Sequence, residues 1–203
     1  MSKIKHVIFD LGGVLIDWNP RYLYRKIWED EEKIDWFLSD ICDMNWNEQQ
    51  DAGRSLLEGT VEKIKEYPEH AEHIKAYYER WEEMLGGTIP ESVDIMGEIK
   101  SAGRHQLYAL TNWSAETFPI AEKRYAFLKE FDGIVVSGIE KDRKPYHSFY
   151  QVLFDRYSLR ANECVFIDDN ERNVKAADNL GMHAIHYVNP ILLRDKLQML
   201  EVL

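Results

Sequence analysis

His6-Val-Ile-Phe-Asp10-Leu-Gly-Gly-Val-Leu-Ile16 is the stretch on which the reading of the chain turns. Val7, Ile8 and Phe9 form a short β-branched and aromatic run, the pattern of a buried strand, and Gly12-Gly13 punctuate it. A carboxylate, Asp10, stands where the run stops. In open α/β sheets ligands bind in the crevice beyond the carboxyl ends of the strands, which puts Asp10 at the edge of such a crevice. An aspartate that only starts a turn would look the same in this stretch alone.

Outward from there, Asp17-Trp-Asn19-Pro20 signals a helix start, with Asn19 as N-cap and Pro20 at the first helical position. From Arg21 to Leu85 the apolar spacing is helical throughout, ending in a long stripe that runs from Ile74 to Leu85. Gly86-Gly87 closes the block, and no strand is expected inside it. The character then changes. Strands are predicted at 106–111, 133–137, 164–168 and 183–187, alternating with helices at 114–124, 146–157, 173–180 and 191–203. Such alternation means βαβ units on a parallel sheet. One strand at the start therefore belongs with four much later, and the helical block between them should emerge beside Asp10 as a lid.

Composition narrows the function. The 203 residues are 45% apolar, enough for a packed interior, and carry 25 Lys plus Arg against 36 Asp plus Glu, a formal charge of −11. Nucleic acid is not expected as a partner, because neutralising phosphates needs clustered cations. Nor does the balance support a polybasic hold on a membrane, and no apolar window approaches the length of a bilayer span. The N-terminus enters a strand without a signal-peptide core, so a cytoplasmic protein is expected. Cys42 and Cys164 make no disulfide framework.

Three further strands end in polar groups at or just beyond their carboxyl ends: Thr111-Asn112, Lys144-Pro145 and Asp168-Asp169. Each alone has a plain alternative. Thr-Asn after a strand can be a helix cap, Lys144 has Lys141 and Arg143 beside it, and paired acids can cap a helix. Their joint order, each at a strand end, points to a single crevice.

Four motifs carry a family resemblance over nearly the whole length: Phe9-Asp10-Leu-Gly-Gly-Val14, Leu110-Thr111-Asn112-Trp-Ser114, Arg143-Lys144-Pro145 and Phe166-Ile-Asp168-Asp169-Asn-Glu-Arg-Asn173. In these the chain resembles the haloacid dehalogenase-like hydrolase superfamily, in particular its small sugar-phosphate phosphatases with a helical cap after the first strand. The resemblance implies an α/β fold. Residues 1–16 and 88–203 would form a Rossmann-like three-layer core with a parallel five-stranded sheet, and residues 17–87 an inserted all-helical cap. It implies Asp10 as a nucleophile that forms an aspartyl-phosphate on a small phosphorylated metabolite. It implies Mg²⁺ held by Asp10, the Gly12 carbonyl, Asp168 and Asp169, with either of the last two the direct ligand. Lys144 would neutralise Asp10 and the phosphoryl group. The Thr111 hydroxyl and Asn112 backbone N–H would donate to phosphoryl oxygens, and Asn173 would support the acids.

Gly12 departs from the pattern. Most family phosphatases place there a second Asp that protonates the leaving oxygen, and general acid–base help contributes roughly 10²–10⁴-fold. Either the leaving group departs unaided, as an anomeric sugar phosphate would, or another group substitutes, with Asp17 or a cap residue conceivable. The alternatives are a 2-haloacid dehalogenase, which also lacks that Asp, or a non-catalytic relative that binds through the same crevice. Specificity would lie in the cap, where Trp46-Asn47-Glu-Gln-Gln-Asp51-Ala-Gly53 is polar and aromatic, and at Trp113. Ordinary packing accounts equally for Trp46 and Trp113, and His70 and His73 read as surface histidines.

Overall fold

The computed structural model describes residues 4–203. Seven strands are numbered in chain order: β1 His6–Phe9, β2 Ile16–Trp18, β3 Leu85–Thr88, β4 Gln106–Thr111, β5 Gly133–Val136, β6 Cys164–Asp168 and β7 His183–His186. Five of them form one sheet in the order β5-β4-β1-β6-β7, with every pairing parallel. The first strand thus sits at the centre, and all four of its residues are buried. Phe9 pairs with Ala109 of β4 on one side and Ile167 of β6 on the other. The carboxyl ends of three adjacent strands consequently bring Asp10, Thr111 and Asp168 to one edge of the sheet.

Both faces of the sheet are covered, as a parallel sheet requires. Val7, Phe9, Leu107, Ala109, Val165 and Ile167 pack on one side. Ile8, Tyr108, Leu110 and Phe166 pack on the other, against Phe149, Tyr150 and Leu153 of the helix His147–Tyr157. Full burial of such side chains contributes about 1.5–3 kcal/mol each. Cys42 and Cys164 are buried free thiols, and no described helix is long and apolar enough to cross a membrane.

Between β2 and β3 lies the helical insertion. It is more broken than its apolar spacing predicts: short helices at Arg21–Tyr24, Glu31–Trp36, Met44–Asp51, Leu56–Glu66 and Ala71–Glu79, with a π-turn at Phe37–Ile41 and 3₁₀ turns at Pro68–His70 and Trp81–Met84. Helical spacing does not reveal where a helix stops; the capping groups do. Asp30, Asp43 and Ser55 each start a new helix by accepting backbone N–H bonds through their side chains.

The expectation of no strand in this block is corrected. β2 and β3 pair antiparallel and straddle positions 17 and 87, forming the neck of the insertion. Gly86, read as a helix stop, lies inside β3. A Cβ there would come within 2.1 Å of Asp17 Oδ2 and 2.8 Å of the Tyr22 ring, so a side chain at this position would displace the Asp17–Tyr22 pair. His70 and His73 are only partly exposed. They pack on Trp36, Phe37 and Trp28, with the His73 ring 4.5 Å from that of Trp28.

The interior of the insertion is aromatic. Phe37 is fully buried, with its ring 4.8 Å from Tyr24 and 5.1 Å from Trp28. Phe37→Ala is expected to lower unfolding free energy by about 3–5 kcal/mol in urea titrations, the usual cost of emptying such a site. A loss under about 1 kcal/mol would mean that the cluster does not hold the insertion together.

Candidate active site

The loop after β5 reaches back over the ends of β4 and β1 and delivers Lys144, which is fully buried. Its Nζ lies 2.9 Å from Asp10 Oδ2 and 2.7 Å from Asp168 Oδ2. Lys141 and Arg143 are not its rivals: Arg143 points to Glu48 of the insertion, 3.0 Å away. Burial alone would pull the Lys144 ammonium down, but Asp10 and Asp168 outweigh it and hold the group above its ordinary value.

Lys144 is placed by Asn112. The Asn112 amide donates to the Lys144 carbonyl (3.0 Å) and accepts from the Lys144 backbone N–H (2.9 Å). This side-chain role was not legible in the sequence, which offered only the Asn112 backbone as a donor. Thr111 is fully buried at the end of β4, and among the described residues its hydroxyl has no hydrogen-bond partner. An orphaned hydroxyl in the interior is costly and calls for a ligand.

The two acids after β6 differ. Asp168 is fully buried and saturated: Oδ1 accepts from the Asn170 N–H at 2.8 Å, and both oxygens lie 3.1 Å from Asn173 Nδ2. Asp169 keeps an exposed edge. A Cβ at Gly13 would come within 2.2 Å of its Oδ2, and Gly13 adopts φ +72°, so glycine is required there for two reasons. At Gly12 a Cβ would meet nothing within 4 Å. The space for the missing acid exists, but the acid does not.

Asp10, Gly12, Asn112 and Asp169 open onto a cavity of about 290 Å³ between the sheet edge and the insertion. Trp18, Met44, Tyr78, Trp81 and Trp113 supply its apolar wall, and Asn47, Glu48, Asp51 and Ser114 its polar one. Of the insertion stretch singled out in the sequence, Asn47, Glu48 and Asp51 face this cavity. Trp46 turns away into the insertion, its indole N–H donating to the Gly59 carbonyl at 3.1 Å. Asp17 accepts from the Tyr22 hydroxyl at 2.7 Å and does not line the cavity. Ser137, which no motif marks, ties the parts together: its hydroxyl donates to the Asp51 carbonyl at 2.5 Å and accepts from the Trp113 N–H at 2.8 Å.

A family model described as haloacid dehalogenase-like hydrolase matches residues 4–181. The chain belongs to that family. This hydrolase is 27% identical over 193 residues to a sesquiterpene phosphatase of Aspergillus oryzae, across 94% of this chain and 93% of that protein. It is 25% identical to the N-acylneuraminate-9-phosphatase of Rattus norvegicus, across 93% of this chain and 84% of that one. Its fold is similar to that of a family enzyme from Bacteroides thetaiotaomicron solved as a magnesium complex, with TM-score 0.72 and 21% identity over 93% and 95% of the two chains.

The donor set of this hydrolase suits a hard divalent cation. Asp10, Asp168 and Asp169 each offer a carboxylate oxygen, all within 4.8 Å of one another, against the one ammonium of Lys144. Burial first, with Asp168 and Asp169 adding to it, pushes the Asp10 carboxyl up to about 8 against the pull of Lys144. Asp169 is also raised, by desolvation and by Asp168. Excess negative charge in a desolvated crevice is what a dication would relieve.

Lys144→Met should therefore destabilise the metal-free protein by about 3–5 kcal/mol, since it strands two buried carboxylates. Burial raises the Asp10 carboxyl and Lys144 restrains it, so without the ammonium Asp10 holds its proton to still higher pH when folded than when unfolded, and stability must fall as pH rises. Denaturant titrations should show a larger loss at pH 8 than at pH 5. An equal loss at both would mean that Lys144 contributes packing alone.

Proposed function

We propose that this hydrolase is a Mg²⁺-dependent phosphatase that cleaves a small phosphorylated metabolite through a phosphoryl group transferred to Asp10. The observation that carries the reading is the convergence of Asp10, Lys144, Asp168 and Asp169 at one end of the sheet, beside the unpartnered Thr111 hydroxyl. A bound Mg²⁺, held by Asp10, the Gly12 carbonyl and Asp169, would screen the repulsion between carboxylate and phosphate dianion. Asp168, its oxygens already engaged, would act mainly by fixing Lys144 and the next residue.

In this reading Asp10 needs no base, because a bound dication together with Lys144 would offset the effect of burial and let its Oδ2 attack phosphorus as a carboxylate. The N–H of Leu11, which donates to Asp10 Oδ1 at 2.7 Å, keeps the other oxygen occupied and the attacking one turned toward Lys144. Lys144, the Thr111 hydroxyl and the Asn112 N–H would gather the three equatorial oxygens, where charge develops in the transition state. The helical insertion, residues 17–87, would act as a cap over the core at 1–16 and 88–203. Its aromatic wall suits the apolar face of a sugar or a terpenyl group, the two kinds of organic portion named by the similar phosphatases.

The dehalogenase reading fares worse. Asp168 and Asp169 would put surplus negative charge beside a metal-free carboxylate substrate. Gly12 favours a binding protein only if nothing replaces its acid.

Hydrolysis of p-nitrophenyl phosphate tests the proposal. It should require Mg²⁺, stop on chelation with EDTA, and fall by at least about 10³-fold in Asp10→Asn, since the covalent route is lost. Tight phosphate binding with no turnover of any phosphate ester would indicate a non-catalytic relative. Halide release from 2-chloropropionate in EDTA would reinstate the dehalogenase.

A further inference from the structure

The cavity holds one carboxylate that neither the metal set nor an ion pair claims. Of the four acids that line it, Asp10 and Asp169 belong to the cluster beside Lys144, and Glu48 is paired with Arg143 (3.0 Å) and Arg172 (2.5 Å). The fourth is Asp51, in the last turn of the helix Met44–Asp51. Among the described residues it has no basic partner within ion-pair distance. Its Oδ2 accepts from Asn47 Nδ2 at 3.0 Å, and its carboxylate faces the backbone N–H of Ser114, in the loop that follows Thr111 and Asn112.

Several features of this position favour the protonated acid. The C-terminal end of a helix is the negative end of its dipole, where a carboxylate is disfavoured. The charged and titratable groups around Asp51 are Glu48 on its own helix, Arg143 and Lys144 from the loop after β5, and Tyr77 and Tyr78 from the helix Ala71–Glu79. Burial comes first and Glu48 second in raising the Asp51 carboxyl, to about 7, against the weaker pull of Ser114, Arg143 and Lys144. A proton donor working near neutrality needs that value.

The position is also fixed. Ser137 holds the Asp51 carbonyl, and Gly53 at φ +99° lets the chain turn immediately after, where a Cβ would come within 2.9 Å of Lys141 Cγ. The Asn47 amide that donates to Asp51 is itself oriented, because its Oδ1 accepts from the Tyr78 hydroxyl at 3.0 Å. The space left by Gly12 lies open in the same cavity.

We propose that Asp51 is the general acid and base of this hydrolase, supplied by the helical insertion in place of the carboxyl that Gly12 lacks. The assignment rests on the phosphatase reading. As Asp10 Oδ2 bonds to phosphorus and the ester P–O bond breaks, the Asp51 carboxyl gives its proton to the leaving oxygen, releasing an alcohol. Water then attacks the aspartyl-phosphate and yields a proton to the Asp51 carboxylate. The bond between phosphorus and Asp10 breaks, inorganic phosphate leaves, and Asp51 is protonated again.

Leaving-group dependence tests this. With Mg²⁺ present, the first step is followed in rapid-mixing experiments on p-nitrophenyl phosphate, whose phenolate departs unaided, and on 2-phenylethyl phosphate, whose alkoxide does not. Asp51→Asn should slow the first step on the alkyl ester by roughly 10²–10⁴-fold, the usual worth of a proton donor, and on the aryl ester by less than about tenfold. It should also produce a burst of p-nitrophenolate, since water activation is impaired. Adding Gly12→Asp to Asp51→Asn should recover alkyl ester cleavage, which a merely misfolded variant would not do. Equal slowing of both esters with no recovery on adding Gly12→Asp, or no slowing of the alkyl ester, overturns the assignment while leaving the phosphatase intact. Absence of turnover of either ester by the unsubstituted protein overturns both.

Discussion

A buried ammonium between two buried carboxylates is the constraint from which the site follows. Lys144 has no exposure, and the desolvation of each such ion costs several kcal/mol, so the group is tolerable only where its partners are close and well aligned. Asp10 and Asp168 meet that demand because β1 and β6 are neighbours in register and end together. Lys144 arrives from beyond β5, on the far side of β4, and the Asn112 amide at the end of β4 grips its backbone as it crosses. One ammonium set against three carboxylates leaves negative charge to be balanced, which a dication would supply.

The helical insertion is not a loose appendage. Its Tyr24, Phe37, Trp46 and Tyr77 belong to one continuous apolar cluster with Val14, Ile16 and Trp113, and through them with Phe9 of the central strand. Polar ties span the cavity mouth as well: Glu48 to Arg143 and Arg172, and the Leu56 N–H to Glu116 at 2.7 Å. Arg143 precedes Lys144 and Arg172 precedes Asn173, the residue that holds Asp168, so the insertion is fastened at two points beside the buried ion pairs. In this arrangement the closed insertion would exclude water from the reacting centre and set which organic portion fits.

The central sheet was legible because a strand buried on both faces must be a continuous apolar run, as Val7-Ile-Phe9 and Cys164-Val-Phe-Ile167 are. Asp10, Thr111, Lys144 and Asp168-Asp169 stood out because each follows such a run or the loop after it. Other features gave no signal. The neck strands β2 and β3 are short, and Gly86 and Gly87 read as a stop although Gly86 sits against the Asp17 and Tyr22 side chains inside β3. The breaks in the helical insertion depend on single capping side chains such as Asp43 and Ser55. The Asn112 side chain and Ser137 act through partners far away in sequence, so only folding reveals those contacts. The stretch from Trp46 to Gly53 stood out as a candidate for specificity, yet periodicity could not separate inward Asp51 from outward Trp46.

The account stands on Asp10, Lys144 and Asp169 sharing one metal-bound phosphoryl centre. A crystal structure of the protein with Mg²⁺ and beryllium trifluoride, a mimic of a phosphoryl group on a carboxylate, tests this most directly. The account predicts beryllium bonded to an Asp10 oxygen, the ammonium of Lys144 against a fluorine, and Mg²⁺ touching Asp10, the Gly12 carbonyl and Asp169. A fluoride complex seated elsewhere, or Mg²⁺ held without Asp10, would contradict it.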